Sequence, residues 1–367
     1  MSPELEIQLI AVVVAAACAL PGVFLVLRRL ALMSDVISHA ILPGIVLAFF
    51  LTQDLSSPLL VMGAALMGVL TVGVVGLLER TGRVREDAAM GLVFPVLFSL
   101  GVILIARYAG RVHLDVDIVL LGELAFAPFD RLIVGGLDLG PKSLYVMGGI
   151  LLINVLFIVS FYKELKLSTF DAGLAAALGF SPALIHYGLM ALVAVTAVGA
   201  FEAVGSILVV ALMIAPPAAA YLLTDSLARM LGLSVSLGVV GALGGYRLAY
   251  LLDASIAGSM AAVAGVIFAS ALLLAPERGL LSLVRRRMRQ RWEFAQTMLL
   301  IHLLHHEGRP EAATEAHPEH LHEHLRWEQS FTARVVRLAQ RNGFILRGSD
   351  RLLLTERGRE RARRALM

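Results

Sequence analysis

Asp35 and His39 stand four residues apart in the run LMSDVISHAILPG. On a helix that spacing puts a carboxylate and an imidazole on one face, with Ser34 and Ser38 beside them. Together they offer oxygen and nitrogen donors to a divalent cation, and without a thiolate such a set suits Mn, Fe or Zn better than Cu(I). Two donors do not close a site, so further ligands must come from other helices or from a second subunit. The same pair also fits a helix start, with Asp35 as the cap and His39 packed. Glu202, in AVGAFEAVGSILVVALMIAPP, is a second acid in apolar surroundings, between Gly199 and Gly205 where the chain can bend. It reads as lining a cation path, as closing a gate, or as a surface acid in a short turn. His186 and Asp253 fall near the ends of apolar stretches and read as interfacial residues.

Another concentration of donors lies far downstream. His302, His305, His306, His317, His320, His322 and His324 are interleaved with Glu307, Glu311, Glu315, Glu319 and Glu323. His320 and His324 are four apart, and His302 can pair with His305 or His306. Neutral imidazoles at such spacing bind Zn, Mn or Fe, which makes the tract a candidate regulatory metal site; a solvated polar segment of biased composition is the other reading. Upstream, LLSLVRRRMRQR at 280 to 291 is a basic juxtamembrane stretch that anionic lipid head groups attract.

These residues sit in a chain of 367, of which 58% is hydrophobic and 16% charged, against about 25% charged in an average soluble domain. A soluble, disordered or disulfide-stapled protein is excluded, and the single Cys18 leaves no disulfide, Cys-rich zinc site or iron–sulfur ligation within one chain. About 20 apolar residues cross a bilayer, and such stretches occur near 5–27, 33–52, 57–78, 88–106, 143–162, 183–200, 203–222, 229–250 and 255–275. The first reads as a retained helix, not a signal peptide. The stretch 112–141, broken by Pro128 and Gly135–Gly136, reads as re-entrant or interfacial and leaves the count at about eight or nine. Residues 1 to 276 carry 13 Lys and Arg against 17 Asp and Glu, a net −4, whereas 277 to 367 carry 18 Arg against 11 acids, a net +7. Basic loops face the cytoplasm, which places the N-terminus outside and the arginine-rich tail inside. Glycines recur within the apolar stretches, as small residues do where membrane helices approach closely.

The cytoplasmic loop KELKLSTFDAGLAAALGFSP holds a short amphipathic helix, with Ser168 or Thr169 as its cap, Phe170, Leu174 and Leu178 on one face, and Gly179 with Pro182 ending it. Such a helix lies on lipid or inserts into a partner's groove. In company with this loop, RLALMSDVISHAILPGIVLAFF, REDAAMGLVFPVLFSLGVIL and AVGSILVVALMIAPPAAAYLL resemble the permeases of bacterial manganese/zinc/iron ABC importers, over about residues 5 to 280. The resemblance implies a multi-pass protein of the bacterial cytoplasmic membrane, working as two permease copies with a dimer of ATP-binding cassette ATPases and an extracytoplasmic metal-binding protein. It implies that Asp35 and His39 are pathway metal ligands. It also implies that Phe170, Asp171, Leu174, Leu178 and Gly179 belong to the coupling helix that docks in the ATPase. No GxxxxGK[ST] phosphate loop occurs, so this chain is expected to be a transport subunit and not an enzyme, meeting ATP only through its partner. No covalently bound cofactor is expected, and the divalent metal is cargo.

In the tail, 292–306 reads as a helix, as does SFTARVVRLAQRNGFIL, with Val335, Val336, Leu338 and Ala339 inward. Two short strands around Gly348–Ser349–Asp350 and a last helix capped near Thr355 complete a winged-helix order. Including LTERGRERA at 354 to 362, this region resembles the N-terminal domain of iron- or manganese-dependent repressors. The resemblance implies that Arg334, Arg337 and Arg341 contact DNA phosphates or a protein partner, and for a tethered module docking or regulation is expected ahead of DNA. The expected fold is therefore an all-α polytopic membrane bundle at 1–280, a basic linker at 281–291 and a small α+β winged-helix cytoplasmic domain at 292–367. A membrane-tethered metal-responsive regulator and a secondary metal transporter without an ATPase are the competing readings, and neither needs the loop helix.

Overall fold

The computed structural model describes residues 2–53, 57–108, 124–134, 137–308, 317, 321–348 and 351–366. Their contacts divide the chain into two units, Met1–Gly279 and Leu280–Met367. The first is helical: α1 Pro3–Leu27, α2 Leu32–Ala40, α3 Leu42–Thr52, α4 Pro58–Arg80, α5 Glu86–Tyr108, α6 Lys142–Ser160, α7 Tyr162–Phe170, α8 Ala172–Ala177, α9 Pro182–Val204, α10 Ser206–Leu223, α11 Leu227–Leu252 and α12 Ile256–Leu274. Among the described residues nine candidate spans are long and apolar enough to cross a membrane, α2 and α3 together making one. Helices are what apolar runs of this length must form in lipid, where every backbone polar group has to be satisfied internally. Proline in the first turn and a serine before it start α4, α9 and, by serine alone, α12; Ser57, Ser181 and Ser255 each accept a backbone N–H of the first turn.

α1 is the central helix, buried at Ile10, Ala11, Val14, Ala15, Ala17 and Cys18, and it packs on α6, α9, α10 and α11. Its small residues let neighbours close in: a Cβ at Gly22 would overlap the Met213 carbonyl oxygen. Asn154 of α6 donates to the Ala17 carbonyl at 2.9 Å and pairs with Thr196 of α9 at 3.1–3.2 Å, so three helices share one buried polar node. Across the α3–α4 crossing, Gly44 and Gly63 face each other so closely that a Cβ on either would overlap the other's carbonyl oxygen.

Three details differ from expectation. The apolar stretch 33–52 is two helices with a break at Ile41, because Pro43 has no N–H to offer the His39 carbonyl four residues back. The described part of 112–141 holds a 3-10 turn at Ala127–Phe129 and a hairpin of β1 Arg131–Val134 and β2 Leu137–Pro141; Gly135 and Gly136 lie outside the described residues. In the loop after α6, the cap is Asp171 and not Ser168 or Thr169: its carboxylate accepts the Leu174 N–H at 2.8 Å. Ser168 and Thr169 sit in the last turn of α7, and their hydroxyls are taken by Arg28.

The second unit is helical with two small strands: α13 Leu280–His306, α14 Leu321–His324, α15 Gln329–Arg341, β3 Ile345–Arg347, β4 Leu352–Leu354 and α16 Glu356–Leu366. The basic stretch 281–291 is helical and runs on into 292–306. Arg, Leu, Met and Gln are good helix formers, nothing between 281 and 306 breaks the run, and α13 carries both. The core of the unit gathers Leu299, Leu300 and Leu303 of α13 with Leu321, Val335, Ala339, Ile345, Leu354 and Ala362. Strands β3 and β4 pair antiparallel, Ile345 opposite Leu354; Ser349 and Asp350 of their turn lie outside the described residues. Thr355 joins them to α16, donating to the Gly343 carbonyl at 2.7 Å and accepting the Gly358 N–H at 3.1 Å.

Candidate metal pathway and coupling loop

Helix α2 buries Met33, Ser34, Val36, Ile37, Ser38 and Ala40 against the bundle, which leaves the opposite face to Asp35 and His39. Ser38 Oγ donates to the Ser34 carbonyl at 2.8 Å, so the serines satisfy the helix and not the pair. His39 Nε2 lies 3.5 Å from Asp35 Oδ1, with the side chains 27% and 48% exposed. On α5, Phe94 and Phe98 wall in the imidazole, ring centres 5.3 and 6.0 Å away. Among the described residues no group of three His, Cys, Asp or Glu donors forms here or elsewhere. A carboxylate half-exposed within a span cannot face hydrocarbon cheaply; such residues face a wet path or a partner. The pair thus presents one carboxylate and one imidazole, 3.5 Å apart, on a partly exposed face of α2.

Glu202 is not brought to this pair. Helix α9 continues unbroken past Gly199 and ends at Gly205, whose φ of +79° suits glycine. Glu202 sits in its last turn, twenty residues or about 30 Å of helix from Pro182, and meets Lys142 Nζ at 3.4 Å, which also approaches Asp130 at 3.8 Å. The same end of the bundle holds Glu6, 3% exposed and 3.4 Å from Arg131 Nη1. Hydrogen bonding to Asp138 raises the Arg131 guanidinium's pKa, and the same bond holds the Asp138 carboxyl below the usual range.

The other end holds the loop helix. Phe170, Leu174 and Leu178 are 62%, 47% and 59% exposed, Asp171 caps α8, and Gly179 ends it at φ +87°. Phe170 closes α7 instead of starting α8. Arg28, directly after α1, donates Nη2 to Ser168 Oγ at 2.9 Å and Nε to Thr169 Oγ1 at 3.1 Å, and its Nη1 lies 3.3 Å from His186 Nδ1. Burial lowers its pKa. Arg28 and the phenylalanines are what sequence reasoning missed. An arginine beside a span end looks like any positive-inside residue, and its hydroxyl partners are some 140 positions away.

In the second unit, His302, His305 and His306 lie on α13 and His322 and His324 on α14; His317 is described outside any helix, and His320 falls outside the described residues. Arg334, Arg337 and Arg341, on α15, line an open cavity of about 600 Å³ with Trp292, Leu338 and Gln340.

The sequence profile of the ABC 3 transport family matches residues 5–275. A zinc transport system membrane protein, TroD of Treponema pallidum (strain Nichols), is 50% identical over 356 residues, 96% of each chain. A manganese transport system membrane protein, MntD of Bacillus subtilis (strain 168), is 45% identical over 295 residues, covering all of that protein and 80% of this one. Among solved structures, PsaBC from Streptococcus pneumoniae in complex with Fab superposes with a TM-score of 0.64 at 29% identity, covering 77% of this chain and 95% of that one.

Proposed function

The chain belongs to the ABC 3 transport family, and from that premise we propose that it carries Mn, Zn or Fe across the bacterial inner membrane through a path that includes Asp35 and His39. It is the membrane permease subunit of an ABC importer and not an enzyme, with ATP hydrolysis on a separate subunit. The observation that carries the pathway reading is the 3.5 Å pair on the outward face of α2, an incomplete oxygen–nitrogen donor set inside a span. A second permease copy supplies the facing wall, and an extracytoplasmic binding protein delivers the ion. Glu202, at the end of the bundle away from the loop helix, guards the entrance with Lys142.

The loop α7–α8 docks in the ATPase through Phe170, Leu174 and Leu178, shaped by Asp171 and Gly179. ATP binding draws the cassettes together and moves this rigid loop. Arg28 passes the movement to the end of α1, seven residues before Asp35. Transport requires the two states to bind the ion with different affinity, and shifting α2 against α5 changes what the pair can reach. The second unit is a cytoplasmic winged-helix module that regulates or docks, with Arg334, Arg337 and Arg341 on its contact helix and the basic start of α13 on lipid.

Reconstitution with the ATPase in vesicles tests this. ATP-dependent uptake of one of the three metals that disappears in Asp35→Ala is the expected result, and uptake that continues without the ATPase would sink the reading.

A further inference from the structure

His302 and His306 are four residues apart on α13, and their ring centres lie 4.8 Å from each other. His324, on α14, lies over His302 with ring centres 6.1 Å apart and the planes 28° from parallel. Two imidazoles bound to one tetrahedral ion at about 2.0–2.1 Å per nitrogen have ring centres about 5 Å apart; His302 and His306 already stand at that separation, and His324 stands about 1 Å farther from His302. The Nδ1 of His306 is shut away from solvent and has no hydrogen-bond partner. A buried polar atom in that state carries a desolvation cost that a bond would remove.

We propose that His302, His306 and His324 hold a divalent ion of the Zn²⁺ class, clamping α14 to α13. Three imidazoles without thiolate or carboxylate favour Zn²⁺ over the harder Mn²⁺, with a fourth position left to water or a side chain. Among the described residues no three such donors are yet drawn to one point; rotation of the side chains about the ion completes the set. The clamp fits the local chain. α14 is a single turn whose Leu321 is fully buried in the core, and Arg326 just beyond it holds φ +51°, so a bond at His324 would tie this short element to α13. The site stands without the import reading; its regulatory meaning, a tail that registers the delivered ion, rests on it.

Both tryptophans of the chain, Trp292 and Trp327, belong to this unit, so tryptophan fluorescence of the full-length protein in detergent tracks its unfolding separately from the bundle's. Zn²⁺ is expected to raise the fluorescence midpoint of the wild type. His302→Gln, and His324→Gln at an exposed position, are each expected to keep the metal-free midpoint and lose that rise, with Zn²⁺ bound at least tenfold more weakly. Asp35→Ala is expected to keep the rise, whether or not uptake is lost, which separates this site from the pathway. If His302→Gln lowers the metal-free midpoint, His324→Gln alone decides. A wild-type midpoint indifferent to Zn²⁺, or a rise that survives His324→Gln, overturns the site.

Discussion

Two pairs of side chains share one helical spacing, Asp35 with His39 on α2 and His302 with His306 on α13, and they differ in what surrounds them. The first is walled by Phe94 and Phe98 within a span, half open toward whatever covers that face. The second sits in the smaller unit, with an imidazole from another helix against it and a nitrogen sealed from water. An incomplete set suits an ion that must leave, because each state of a transporter can offer a different remainder of ligands. A set that closes around its ion suits one that must stay. Spacing alone does not tell transit from retention; the solvent and the third ligand do.

The largest effect should come from breaking the first pair. Asp35→Ala removes a donor outright, and uptake in vesicles is expected to fall by more than the roughly 10- to 100-fold that outer partners of metal ligands are worth. Asp35→Glu keeps the charge but not the reach and should recover part of it. Comparable uptake in Asp35→Ala and wild type would mean that the pair is structural, a capped helix start with a packed histidine.

A smaller effect is expected where the loop meets the end of α1. Arg28→Ala removes the ties to Ser168 and Thr169 while leaving Asp35, His39 and the docking face in place. Uptake per ATP hydrolysed should fall roughly 2- to 30-fold, the range of couplings carried by intermediate residues, with little change in the metal concentration for half-maximal uptake. Arg28→Lys, which keeps the charge but not the planar fork of donors, should fall between. A change confined to half-maximal concentration would place Arg28 at the ion path and not in transmission.

The bundle also packs α3, the helix that follows the pair, closely on α4. Gly44→Ala brings a Cβ against the Gly63 carbonyl, and forcing α3 from α4 is expected to cost about 1–3 kcal/mol, read as a lower unfolding midpoint of the detergent-solubilised bundle. Gly73→Ala, with nothing within 4 Å of its new methyl, should leave the midpoint unmoved, and equal behaviour of the two would refute the close crossing.

Much of this was legible from residue types. The nine candidate spans among the described residues come from runs of about 20 apolar residues, and the Asp35–His39 pair from its spacing, since i and i+4 meet on any helix. The cap of α8 was not, because Ser168, Thr169 and Asp171 are all good caps by type and only the distant Arg28 removes two of them. The continuity of 281–291 with 292–306 was not legible from charge, because charge on a helix face does not end a helix. The ring of His324 over His302 depended on a contact between two helices that no local pattern specifies. His320, the partner expected for His324, lies outside the described residues, and the pair that the structure brings together is between helices. The order of helices and two paired strands was readable, since each element carried its own periodicity and stops.

The smallest expected effect concerns how the second unit holds together in water. Arg359 donates to Glu307 through Nε and Nη2 at 2.8–3.0 Å, and this bonding holds the Glu307 carboxyl below its ordinary value of 4.5. A carboxyl depressed by folding contributes stability that is present above its unfolded value and is lost as pH falls through the folded one. Acidification below about 4.5 should therefore lower the tryptophan midpoint of the wild type more than that of Glu307→Gln. The two curves should run parallel above that pH, offset by no more than roughly a few degrees because the side chains are 33% and 38% exposed and screened by solvent. Curves that converge on raising the pH instead would reverse the sign and show that the pair does not hold α16 to α13.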